Sequence, residues 1–179
     1  VLDGPLVGVG HGMGLLMADK VLGFEVQCCF VSSGREHRII RTGNLSQVSI
    51  EAMKSVEARL AVDSSRIAEV LGLPDEGHLC LRRRGFDLHV HLSHSWVPIE
   101  GCYQVGAIYV AMVALMTGRR SRDDTLVFGN IDEKGVLVAE EWEWTERMVK
   151  YSNRLGYRRL VVGRGVRMGA AAKAAAEEE

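Results

Sequence analysis

His89 and His91 stand two apart in Phe86-Asp87-Leu88-His89-Val90-His91-Leu92, and His94 follows within three residues. On an extended strand that spacing puts both imidazoles of the pair on one face, and three imidazoles are the protein ligand count of a catalytic zinc centre. Such a centre also wants a carboxylate partner or a fourth ligand; Asp87 and Glu100 are available, but nothing in their spacing singles them out. A hydrogen-bonded strand face is the plainer use of the same histidines, and no metal or other cofactor is expected.

The other chemistry-bearing groups read as follows. Cys28, Cys29, Cys80 and Cys102 contain no Cys-x-x-Cys pair, and the adjacent two point to opposite faces of a strand. They fit buried thiols in a reducing, intracellular compartment. Gly8-Val9-Gly10-His11-Gly12-Met13-Gly14 has the glycine density of a phosphate loop but lacks the lysine and serine/threonine pair, so it predicts a hairpin turn and no nucleotide-hydrolysing loop of that type. Trp142-Glu143-Trp144 follows Glu140 and Glu141. This acidic, aromatic segment suits either a contact surface or a loop that packs its tryptophans.

These residues need elements to hold them. Leu6 to Ala18 is predicted as a hairpin of two short apolar runs, and Phe24–Val31 and His37–Arg41 as strands joined by a turn at Ser32-Ser33-Gly34. The period then changes: Val48, Met53, Val56 and Leu60 make one face of a helix over about 46–61, capped by Ser46 or Asn44, and Ser64-Ser65 opens a second helix closed by Gly72 and Pro74. Phe86 to Leu92 alternates as a half-buried strand. From Gly101 to Thr117 the chain is apolar nearly all round, which predicts a central buried helix ending at Gly118. Two strands around Thr125–Ile131 and Gly135–Val138, a helix between Trp144 and Leu155, and a strand at Arg159–Val162 complete the α/β pattern, mixed small sheets packed with that helix. Residues 1–165 form one domain; 166–179, rich in Ala and Glu without an apolar face, read as a frayed tail.

With 179 residues and 47% hydrophobic content the chain supports one sizeable core. Its 22 basic and 23 acidic residues leave a net charge of −1, so the whole surface attracts neither nucleic acid nor anionic lipid. Contact with nucleic acid would need a local patch among Arg82-Arg83-Arg84, Arg154, Arg158, Arg159, Arg164 and Arg167. No run approaches the ~20 apolar residues of a membrane span. The start at Val1 suits a processed product, as removal of a mitochondrial or chloroplast targeting peptide would leave, or a trimmed fragment.

In order and spacing, several of these segments resemble the Lon proteolytic domain. Val7-Gly8-Val9 with Gly14-Leu15-Leu16 is similar to its first strands, and Arg41-Thr42-Gly43-Asn44-Leu45 to its threonine-glycine turn. Asp87-Leu88-His89-Val90-His91 looks like its Asp-apolar-His-apolar-His strand, which leads to a Pro-Lys-Asp-Gly-Pro-Ser-Ala-Gly loop and a helix ending in Thr-Gly. Here Pro98-Ile99-Glu100-Gly101-Cys102-Tyr103-Gln104-Val105 occupies the loop without a gap, and the helix ends at Thr117-Gly118. Phe128-Gly129-Asn130-Ile131, Gly135-Val136-Leu137 and Gly156–Val162 match the family's later segments in turn.

The resemblance implies a serine-lysine dyad, in which lysine removes the serine proton and the serine attacks a peptide carbonyl. The serine position is Tyr103 and the lysine position falls at Glu146. A phenol, with an ordinary pKa of about 10 and a bulky ring, replaces neither the size nor the reactivity of serine. Cys102, or Ser93 or Ser95 in the preceding loop, could serve as nucleophile and Lys150 as base only through a displacement of the backbone, where catalysis tolerates about 1 Å. The expectation is a catalytically inactive Lon-like domain, a structural or assembly subunit of a larger complex. Its candidate contact residues are Glu140, Glu141, Trp142 and Trp144. The family's assembly into rings implies a homo- or hetero-oligomer. The alternative is a divergent ATP-dependent serine- or cysteine-type endopeptidase working with a separate ATPase.

Overall fold

A computed structural model describes residues 7–16, 20–32, 38–43, 46–73, 86–93, 103–139, 143–144, 146–165 and 167–168. Its centre is a six-stranded sheet in the order β3-β4-β2-β1-β5-β9. These strands are β1 (Val7–Leu16), β2 (Lys20–Ser32), β3 (Ile39–Thr42), β4 (Phe86–Leu92), β5 (Thr125–Phe128) and β9 (Arg159–Val162). β2 pairs antiparallel with β1 and β4, whereas β3 on β4, β5 on β1 and β9 on β5 are parallel. Two short pairs flank the sheet, β6 (Asn130–Ile131) with β7 (Leu137–Val138), and β8 (Glu143–Trp144) with β10 (Arg167–Met168).

One face of the sheet carries the main core. Strand alternation sends Phe24, Val26 and Cys28 of β2 and Leu88, Val90 and Leu92 of β4 to that face, where they meet Met53, Val56 and Leu60 of α1 (Gln47–Leu71) and Ile108, Met112 and Leu115 of α2 (Val105–Thr117). α2 is apolar all round because it lies between α1 and the sheet. It sits close enough that a Cβ on Gly8 or Gly10 would fall 2.0 or 2.1 Å from the carbonyl oxygens of Ala111 and Ala107. The opposite face is covered on the β1-β5-β9 side by α3 (Glu146–Arg154), where Met13, Leu126, Phe128 and Val149 form a second cluster.

Several sequence expectations are corrected. The glycine-rich segment 8–14 is no turn: it runs straight through β1, and Gly8, Gly10 and Gly12 are contact points for α2. The hairpin is between β1 and β2 instead. The two helices expected over 46–72 are one, because Ser64 turns its hydroxyl back onto the Ala61 carbonyl and the ladder continues. Both ends were legible: Ser46 accepts from the Ser49 amide at 3.2 Å, and Gly72 closes the helix at φ 61°. β3 does not return along β2; it adds parallel to β4, in a register that sets Ile39 beside Leu88 and Thr42 beside His91. β10 pairs with β8 inside the segment assigned to the tail, so ordered structure passes residue 165; residues 169–179 lie outside the described ones.

Candidate functional site

The start of α2 is where the elements converge. Tyr103 and Gln104 form the turn that enters the helix, and Gly129 lies across from them. The Gly129 amide donates to the Tyr103 carbonyl at 3.2 Å, and the Gly106 amide donates to the Gly129 carbonyl at 3.0 Å. This stitching requires the backbone to bend away from β5 at φ 147°, where a Cβ would fall 2.9 Å from the Val138 carbonyl. A glycine fits that corner and a side chain does not.

The Tyr103 side chain lies flat on Phe128, ring centroids 4.7 Å apart and planes within 9°. It packs into the cluster of Met13, Leu126, Phe128 and Val149, so its ring serves as core. Gln104, only 1% exposed, donates from Nε2 to Ser49 Oγ at 2.6 Å, and Ser49 Oγ lies 3.0 Å from Ser46 Oγ. The N-termini of α1 and α2 are therefore joined by one buried polar chain. Gln104 Oε1 has no hydrogen-bond partner among the described residues.

Of the two dyad positions, Tyr103 is placed as above and Glu146 is the first residue of α3. Lys150 lies on the exposed side of that helix, next to the buried Val149. Cys102, His94, Ser95 and Glu100, with the contact candidates Glu140, Glu141 and Trp142, lie outside the described residues, while Trp144 contributes backbone to β8. Ser93 accepts from the Glu25 amide through its hydroxyl at 2.7 Å, and its own amide donates to the Glu25 carbonyl at 2.9 Å. Those bonds tie it to the middle of β2.

His89 and His91 do share a face, the one turned away from the main core. The Thr42 hydroxyl sits 2.8 Å from His89 Nε2 and 2.8 Å from His91 Nδ1, and Cys29 Sγ lies 4.0 Å from the other nitrogen of His89. One hydroxyl has a single proton to give, so at least one of the two imidazoles donates to Thr42. Among the described residues no three His, Cys, Asp or Glu side chains converge as a metal site. Cys28 faces the main core, where burial pushes its thiol well above the ordinary range; burial raises Cys29 as well.

A second polar cluster was not foreseen. Arg59 and Asp63, one turn apart on α1, form a two-point ion pair; Tyr109 of α2 donates to Asp63 Oδ2 at 3.0 Å, and Arg59 donates to the Glu133 carbonyl at 2.8 Å. The bonds from Arg59 hold the Asp63 carboxyl below its usual range, against the opposing effect of burial. Desolvation, then the bond to Asp63, raises the Tyr109 phenol. The i,i+4 spacing of Arg59 and Asp63 was visible, but ending the helix near residue 61 left Asp63 outside it.

The centre of the structure is thus a mixed six-stranded sheet with a buried helix entered through a glycine-stitched turn. A family model described as the Lon protease (S16) C-terminal proteolytic domain matches residues 4–140, and the chain belongs to that family. It is 34% identical over 101 residues to a Lon protease of Methylocella silvestris and 31% identical over 102 residues to one of Paraburkholderia phytofirmans. Each match covers 56% of this chain and 11% of the relative, so the chain spans a small part of the length of these proteins.

Proposed function

We propose that this chain is a Lon-fold domain without hydrolytic activity that serves as a structural or assembly subunit of a larger complex. The observation that carries the reading is the stack of Tyr103 on Phe128. At the position the family resemblance gives to a nucleophilic hydroxyl, this chain has a ring that completes a core cluster. Attack on a carbonyl would require the phenol to leave its partners in that cluster, and the residue at the lysine position, Glu146, is an acid. Retention of the fold without the dyad is what an assembly role requires, since packing and subunit surfaces do not depend on the nucleophile. A reducing intracellular compartment, mitochondrion or chloroplast included, suits the cysteine pattern.

The test is hydrolysis of fluorescein-labelled casein by the purified chain, alone and with a Lon-type ATPase and ATP. The expected rate equals that of buffer. Hydrolysis that disappears in Cys102→Ala or Lys150→Ala would establish the alternative, a divergent endopeptidase.

A further inference from the structure

β9 ends the six-stranded sheet, and among the described residues no strand pairs with its outer side. Its inner side is identified by its bonds: the Arg159 amide donates to the Asp124 carbonyl at 3.0 Å and the Gly163 amide to the Phe128 carbonyl at 2.9 Å. Strand period two then turns the amides and carbonyls of Leu160 and Val162 outward. Beside this edge, between α2 and β5, lies a cavity of about 400 Å³ whose walls include Val110, Val127, Ile131, Leu137 and Val161. Val161 stands 46% exposed. The segments leading into β5 and β9 carry Arg120, Arg122, Arg158 and Arg159 against Asp123 and Asp124, with Arg122 and Arg159 both bonded to Asp124, while Arg119 turns to the Leu71 carbonyl at the end of α1. Four cations against two anions make this rim positive on a chain whose net charge is −1.

We infer that this edge binds an extended acidic segment of a partner protein: its backbone adds as a strand to β9, one aliphatic side chain enters the cavity, and flanking carboxylates meet the arginines. Strand addition draws affinity from main-chain bonds and specificity from pockets beside them. The walls argue against nucleic acid, because single strands bind on aromatic platforms, whereas Val110, Val127, Ile131, Leu137 and Val161 are aliphatic. A second copy is disfavoured by charge, since two β9 edges would bring Arg158, Arg159 and Arg164 against their own kind. The inference rests on the assembly reading and names a surface for it.

The probe is a fluorescein-labelled peptide, Asp-Glu-Val-Ile-Val-Glu-Asp, followed by anisotropy with the full chain. Saturable binding is expected. It should weaken at least tenfold for the same peptide with lysines in place of its acids, for a version N-methylated at the central Ile and Val, and for the protein variants Val161→Arg and Arg120→Glu/Arg158→Glu. Absence of saturable binding, equal binding of the lysine peptide, or displacement by an oligouridylate that binds tighter than the acidic peptide overturns the inference. So does self-association that occupies the same edge and is lost in Val161→Arg. The comparisons on the unaltered chain decide the matter even if a variant misfolds. Failure here with casein left intact removes only this surface, whereas casein hydrolysis removes the assembly reading itself.

Discussion

Replacing Gly10 by alanine tests the close approach of β1 to the backbone of α2. An alanine Cβ would stand 2.1 Å from the Ala107 carbonyl oxygen, 3.0 Å from its carbon and 3.1 Å from the Ala111 amide nitrogen. All three atoms are helix backbone, so no side-chain rotation relieves the overlap. Carbon and carbonyl oxygen approach no closer than about 3.3 Å even in favourable contacts, so α2 must withdraw from β1 by roughly 1 Å. A gap of that size forfeits a quarter to a half of the dispersion energy of the atoms facing it, and α2 faces the sheet with the fully buried Ile108, Met112 and Leu115. Overpacking ordinarily costs about 1–3 kcal/mol; a clash with backbone across a whole helix face belongs at the top of that range, about 3 kcal/mol. For a domain of this size that is a fall in melting temperature of roughly 6–12 °C, read by circular dichroism at 222 nm. Gly118→Ala is the control: its Cβ meets nothing within 4 Å, and only its φ of 67° is strained, which costs about 1 kcal/mol. Equal melting temperatures for the two variants would refute the close packing of β1 on α2.

Tyr103→Ala removes a half-buried ring stacked on Phe128 and should lower stability by about 2 kcal/mol, read as a reduced urea midpoint at unchanged slope; a change below ~0.5 kcal/mol would remove the ring from the core. Thr42→Val takes away the hydroxyl that serves both His89 and His91 and should cost about 1–2 kcal/mol at pH 8, measured by the same titration. The carboxyls of Asp63 and Asp124 are held low in the folded chain, Asp124 at about 2, chiefly by side-chain bonds from Arg59 and Arg122. Depressed acids contribute stability that is fully present above their unfolded value near 3.8 and is lost as pH falls through the folded value. Urea midpoints should therefore drop between pH 5 and 2, and the drop should be shallower in Asp63→Asn; an identical profile in that variant would exclude the Arg59 pair as its source. Because burial raises the Cys28 thiol, iodoacetamide at pH 8 should leave Cys28 unmodified in the folded chain and alkylate it in urea, as peptide mass spectrometry would show.

Local physics wrote much of this architecture into the sequence. The alternation of Phe86–Leu92, the all-round apolarity of α2, the Ser46 cap and the glycines at 72 and 118 depend on neighbours within a few residues, and each sits where those neighbours require. The spacing of Tyr103 and Glu146 against a familiar motif also needs no coordinates. What the tertiary structure alone decided was which surfaces meet. The glycines of β1 have turn-like composition, and only the presence of α2 against them shows that they are there for close approach. β3 could pair with either neighbour until the register on β4 brought Thr42 to His89 and His91. Gln104 with Ser49, Asp63 with Tyr109 and Tyr103 with Phe128 are 55, 46 and 25 positions apart in the chain. Such pairs leave no periodic trace, because the free energy that selects them comes from burial and hydrogen-bond completion between elements rather than along one.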